Sequence, residues 1–352
     1  MSGAVISGVG LCCSLGRTFA KAAKAYAAGD VNFEKSDKVI GPDGMPLRLA
    51  PVFGFHDIHN YEIRLQRLFQ CAMDDFAAQS GPAPAPMPLR LIIPGWLKGN
   101  AIEATFSEWI MAEYGERLIS VELVSSENAM LLSDLARALL AVNEGEAPAM
   151  LVGAVDSFMH AELIDSLALN NRLLCRTQPH GVIPSEAAVL FRVCQPHVAA
   201  ADAPGGEIAA VWTGRETENI ADAKGILGRG LAKPFAAALS ERTPHRLMID
   251  LNGERWRSEE LGFALAAVPA LPDDLAADFE TPPLFTGFCG CATGGVIAAL
   301  ALADAPPGSG APPDTEDGME WTVISTSHYN GPRAVALIGR PVPQTELEED
   351  AA

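Results

Sequence analysis

Short apolar runs of strand length alternate with segments of helical period along almost the whole chain, and few folds satisfy that alternation. In the first half, residues 4–8, 89–93, 120–124 and 149–155 read as strands, and 18–28, 61–78, 101–114 and 128–142 as helices. Leu65, Leu68, Phe69, Ala72 and Phe76 set the helical spacing in 61–78. Residues 32–58 read as irregular, with a turn at Gly41-Pro-Asp-Gly44. The second half repeats the pattern, with strands at 207–213, 246–251 and 284–286 and a closing hairpin of 320–327 with 334–338. Its helices fall at 219–239, interrupted by glycines, at 258–267 and at 294–303, and a Pro/Gly/acid linker occupies 305–318. Such alternation predicts an α/β protein with parallel sheets buried on both faces. The repeat is far longer than a solenoid period, which points to a duplicated domain. At 352 residues and 49% hydrophobic content, the chain can bury a large core as two ordinary domains or one large α/β unit.

Charge narrows the partners. Lys and Arg number 25 against 44 Asp and Glu, a formal charge of −19. Phosphate backbones are repelled unless a local basic stripe exists, and the arginines at 242–257 are interleaved with acids. No nucleic acid is expected. The seven cysteines lie mostly in apolar runs and read as free thiols in a reducing cytoplasm. Cys289-Gly-Cys291 lacks metal-site spacing, so no metal is expected. The apolar N-terminus has no basic region before it, and residues 294–305 are too short to span a bilayer, so neither a signal peptide nor a membrane anchor is expected. Residues 346–350 read as a solvated acidic end.

Five segments, in order, carry a family likeness. Val5-Ile-Ser-Gly-Val-Gly-Leu-Cys-Cys-Ser-Leu-Gly16 resembles the opening strand and turn of the β-ketoacyl synthases, members of the thiolase superfamily. Ala149-Met-Leu-Val-Gly-Ala-Val-Asp-Ser157 is similar to their strand after the nucleophile helix, and His180-Gly-Val-Ile-Pro-Ser-Glu-Ala-Ala-Val-Leu190 to the small-residue segment before the crossing into the second half. Gly294-Gly-Val-Ile-Ala-Ala-Leu-Ala-Leu302 resembles the late glycine-alanine helix, and Ser325-Thr-Ser-His-Tyr-Asn-Gly-Pro-Arg-Ala-Val-Ala-Leu337 the closing glycine-rich turn and strand. The resemblance implies a thiolase-like five-layered αβαβα unit of two homologous halves, 1–195 and 196–345, followed by an acidic tail at 346–352. It also implies an intimate homodimer.

Condensing members of that family use a cysteine at the start of the central helix, where the helix dipole and backbone N–H groups favour thiolate and oxyanion, together with two histidines. In this chain the matching positions fall on Asn128, with Glu127 one residue away, on Asn252, and on Cys289 in Gly287-Phe-Cys-Gly-Cys291. No catalytic residue is therefore expected, and no cofactor. Ser125 or Ser126 with His180 or His328 would form a nucleophile pair only if a third group oriented the base; serine before a helix more often caps it. Cys289 as a relocated nucleophile competes with its reading as a buried thiol, and Glu186 reads as structural. Asn252-Gly-Glu-Arg255 admits a type I′ turn or a polar network refilling an emptied site. Glu127, Glu254, Phe288, His328 and Asn330 are the expected pocket neighbours.

The expected role is that of a catalytically degenerate, dimeric binding, adaptor or accessory protein. Two alternatives stand beside it. One is a residual acyl-thioester enzyme, a decarboxylase or acyltransferase; the other is a chain-length-factor-like subunit in fatty-acid or polyketide metabolism. An acyl carrier protein fits the resemblance but is disfavoured by the shared acidic charge.

Overall fold

Thr18 and Asn100 begin their helices as such residues should. The Thr18 hydroxyl accepts the Lys21 N–H at 3.3 Å, and the Asn100 carbonyl oxygen accepts that of Ile102 at 3.0 Å. The structure, a computed structural model, describes residues 3–79, 85–126, 130–199, 203–218, 225–268, 271–303 and 318–342. In chain order, the first half comprises β1 (Val5–Cys13), α1 (Phe19–Ala27), β2 (Glu34–Ile40), β3 (Pro46–Leu49), α2 (Tyr61–Gln79), β4 (Met87–Pro94), α3 (Ala101–Tyr114), β5 (Leu118–Ser126), α4 (Met130–Asn143), β6 (Ala149–Ser157), α5 (Ala161–Leu169) and β7 (Glu186–Cys194). The second comprises β8 (Gly205–Arg215), α6 (Arg229–Glu241), β9 (Arg246–Ile249), α7 (Arg255–Ala266), α8 (Asp273–Ala277), α9 (Pro283–Thr286), α10 (Thr293–Ala301), β10 (Met319–Ser327) and β11 (Pro332–Pro341).

The strands run in the order β5-β4-β6-β7-β1-β8-β11-β10-β9. Five strands from the first half meet four from the second through only two residue pairs, Ile6 with Gly206 and Ser7 with Gly205. Contrary to the expectation of parallel sheets, pairing is mixed. β4 is parallel to β5 and β6, and β9 to β10, whereas β6–β7, β7–β1, β8–β11 and β10–β11 are antiparallel. An apolar run reads the same in either direction when helices cover both faces, so strand polarity was invisible in the pattern.

The layers follow from side-chain alternation. In β7, Ala187, Val189, Phe191 and Val193 face a central core shared with Leu131 and Leu135 of α4 and Val296 and Ile297 of α10. Ala188, Leu190 and Cys194 face outward onto Leu65, Phe69 and Phe106 of α2 and α3. Likewise in β11, Ala334, Ala336 and Ile338 join the central core, while Val335 and Leu337 pack on Phe235 and Leu261 of α6 and α7. The order is helix, sheet, helix, sheet, helix. All nine residues of α10 are buried, as a helix between two sheets requires.

Other expectations are corrected. Residues 32–58 contain the β2–β3 hairpin around the predicted turn. Residues 284–286 belong to a helical turn, because Pro282 and Pro283 fix φ for a helix start and not a strand. The helix expected at 219–239 is α6, beginning at Arg229; residues 219–224 lie outside the described residues, as do 346–352. α5 and β7 were not anticipated as elements. Among the described residues no helix is long and apolar enough to cross a membrane.

Candidate functional site

The C-terminal ends of β4, β6 and β10 converge with the β9–α7 loop and residues 287–291 around a cavity of about 340 Å³. Asp156, at the end of β6, anchors its floor: one carboxylate oxygen accepts the Ser157 N–H at 2.7 Å and the other that of Cys291 at 2.9 Å. Gly290 makes this approach possible. Its φ is +54°, and a Cβ there would lie 1.9 Å from the Asp156 carboxylate.

Arg172 and Arg257 form the charged wall, and Glu254 holds them from behind. Arg172 Nε donates to it at 2.6 Å and Nη2 at 3.2 Å, Asn252 Nδ2 at 3.0 Å, and Arg257 Nε at 3.4 Å. Arg257 also pairs with Asp250, which accepts the Ser327 N–H at 2.7 Å, and donates to the Ser327 carbonyl at 2.8 Å. The Arg172 guanidinium sits 5.5 Å from the ring centres of both Phe288 and Tyr329, so aromatic faces fix the plane that Glu254 meets. Burial pushes the Glu254 carboxyl up, but the Arg172 hydrogen bond and the charges of Arg257 and Arg172 outweigh it and bring it down to about 2. Burial raises Asp250 against the pull of Arg257. Two guanidiniums against two carboxylates leave the cluster electrically neutral. At neutral pH Glu254 stays ionised and is no proton donor.

Of the residues singled out from the sequence, Phe288, His328 and Asn330 line the cavity, and Glu254 stands behind Arg172 and Arg257, which do. Glu127 and Asn128 lie outside the described residues. Asn252 is turned to Glu254 at both ends of its amide, because its Oδ1 also accepts the Glu254 N–H at 3.1 Å. The type I′ turn is not formed: in 252–253 only Gly253 has positive φ, at +97°, and the loop leads from strand to helix with no hairpin to close. Cys289 is fully buried in the central core, and burial pushes its thiol well up; its neighbour Cys291 lines the cavity instead. Ser126 lines the cavity, whereas the Ser125 hydroxyl donates to Glu103 at 3.0 Å. His180 is exposed and is not a lining residue. Glu186 lies beyond the floor, held by Arg64 at 2.5 and 2.8 Å, the Ser157 hydroxyl at 2.8 Å and the Val52 N–H at 2.8 Å.

Sequence reasoning missed Arg172, Arg257 and Tyr329. Arg257 follows Glu254 by three residues at the start of α7, a spacing that brings side chains together and was there to be read. Arg172 is 82 residues from Glu254, and nothing local marks it.

No protein-family model and no curated protein sequence matches the chain. Solved structures do. The ishigamide ketosynthase/chain length factor superposes with a TM-score of 0.72 over 97% of this chain and 100% of its own, at 19% identity. AntDE, a type II ketosynthase solved with the acyl-carrier protein AntF, gives 0.73 over 96% and 99%, at 14% identity. The fold is that of the ketosynthases. A module ketosynthase of the bacillaene synthase from Bacillus subtilis 168 gives 0.68 over 96% of this chain and 72% of its own, at 13% identity. The ketosynthase fold, thiolase-like in its layers, thus spans this chain nearly end to end.

Proposed function

We propose that this chain is a catalytically degenerate ketosynthase homologue that works by binding, as a dimeric adaptor or accessory subunit. One observation carries the reading: behind the wall of the central cavity Glu254 is bound by Arg172, Arg257 and Asn252, and Asn252 is the residue matched to a family histidine. A buried cluster in which each member has an opposite charge or a donor is stable as it stands, and displacing any member leaves another uncompensated. Asn128 and Cys289, the residues matched to the family's cysteine and second histidine, complete the reading that the Cys-His-His set is missing. The halves are read as 1–195 and 196–345, with the tail at 346–352, and the working form as a homodimer.

Purified protein given malonyl and medium-chain acyl thioesters tests this. Neither condensation product nor released carbon dioxide is expected above a protein-free control; either one would establish the alternative, a residual acyl-thioester enzyme using Cys291 or a serine.

A second reading, a chain-length-factor-like subunit beside an intact synthase, draws on the whole-chain likeness to the ishigamide protein. AntDE is a ketosynthase that binds an acyl-carrier protein. Against such a partner here stands the charge of −19, since carrier proteins of that kind are themselves acidic. Sedimentation of the chain alone separates the readings: a homodimer supports the first, and a monomer that dimerises only with a synthase supports the second.

A further inference from the structure

A pair of thiols lies far from the cavity, where α2 crosses β1. The crossing is unusually close because position 10 carries no side chain: a Cβ on Gly10 would lie 2.1 Å from the carbonyl oxygen of Ala72. Cys12, two residues along the strand and on the same face, shares a side-chain hydrogen bond with Cys71 of α2, and both belong to the same core cluster. Cys13 points the other way, into the central core. Arg17 closes the site from outside. Its Nε–H donates to Cys71 Sγ at 3.5 Å, its carbonyl oxygen lies 3.4 Å from the same sulfur, and its guanidinium is held 5.2 Å from the Phe55 ring centre.

We propose that Cys71 and Cys12 form a peroxide-responsive dithiol that closes to an intramolecular disulfide tying α2 to β1. The environments of the two sulfurs suit different roles. The Cys12 thiol donating to Cys71, with the Arg17 guanidinium beside it, overcomes burial and brings Cys71 down to about 7, so the thiolate is well populated at neutral pH. Burial pushes Cys12 well up, so it stays a protonated thiol until called upon. Cys71 is 8% exposed and Cys12 is 0% exposed, so Cys71 is the nearer of the two to the surface, with Arg17 over it. In the first step the Cys71 thiolate attacks one oxygen of hydrogen peroxide; the O–O bond breaks, hydroxide leaves and takes up a proton, and Cys71 becomes a sulfenic acid. In the second, the Cys12 sulfur attacks that of Cys71, the S–O bond breaks, and water departs with the Cys12 proton. Two thiols are oxidised by two electrons, and one peroxide is reduced to two waters.

Peptide mapping of the intact wild-type protein tests this without any variant. After stoichiometric hydrogen peroxide and alkylation of the remaining thiols, a non-reducing digest is expected to hold a Cys12–Cys71 cross-linked peptide that dithiothreitol abolishes. Cys175, partly exposed and paired with the Thr177 hydroxyl at 3.3 Å, serves as the internal comparison and stays reduced. In Cys12→Ser, oxidation stops at a Cys71 sulfenic acid that dimedone traps; Arg17→Gln slows Cys71 oxidation several-fold, and Arg17→Lys restores it in part. The proposal is overturned if Cys71 stays reduced while Cys175 is oxidised, or if Cys71 oxidises without the cross-link to Cys12.

Discussion

Two buried carboxylates, Glu186 and Glu254, are each gripped by an arginine fork, yet the first lies beyond the cavity floor and the second behind its charged wall, and they differ in what surrounds them. Glu186 is sealed. Its partner Arg64, on α2, is 4% exposed, and the remaining donors are a backbone N–H and the Ser157 hydroxyl, so the pair is a buried joint between α2, the β3–α2 loop, β6 and β7. Glu254 has two arginines and an amide, and Arg172, 23% exposed, carries the cluster to the cavity surface between Phe288 and Tyr329. The same chemistry thus serves once as a bolt and once as a wall. A sealed pair cannot exchange partners, because removing one ion strands the other away from water. A wall pair can be reached by an incoming ligand, and there the cluster decides what the cavity accepts: with its charges already matched, it offers no uncompensated charge to an anionic acyl donor.

The largest break in this comparison is Arg64→Ala. It strands Glu186 and should cost about 3–5 kcal/mol in denaturant unfolding; a loss below about 1 kcal/mol would show that Glu186 is hydrated. Next comes Glu254→Gln. Glu254 is depressed from 4.5 to about 2, so its contribution is fully present above pH 4.5 and is lost as pH falls through about 2. Over that window the wild type should lose about 3 kcal/mol relative to Glu254→Gln. Asp250, raised by burial, titrates in the opposite sense and shares Arg257 with Glu254, so the same comparison made in an Asp250→Asn background isolates Glu254. A flat difference curve would mean that the Arg172 and Arg257 pairings do not hold in solution. Smallest is a matched pair. Ser157→Ala and Asn252→Ala each remove one neutral donor to a carboxylate and one acceptor of a backbone N–H, and should cost about 1 kcal/mol, more at Ser157, where water cannot replace the lost hydroxyl. The reverse order would make the cavity wall the drier of the two.

The helix at 101–114 was legible to the residue, because Asn100 caps it and Gly115 ends the apolar period. The layering was legible too, since most runs of buried strand are followed by a helix that must cover them. β7 escaped: Glu186-Ala-Ala-Val-Leu-Phe-Arg-Val-Cys194 is wholly buried on both faces and shows no alternation, and Glu186 is paired by Arg64. Of the residues singled out in the sequence, Phe288, His328 and Asn330 line the cavity and Asn252 and Glu254 lie behind it, in three short loops. Arg172 escaped, because it reaches Glu254 only after the chain has passed through β7, β8, α6 and β9. Long-range ion pairs leave no period in a sequence.

The central claim is that the cavity takes part in no acyl transfer. Intact-protein mass measurement after incubation with malonyl and acyl thioesters reads this directly. The account predicts an unchanged mass at every time point; a gain equal to one acyl group, mapped to Cys291 or Ser126, would contradict it.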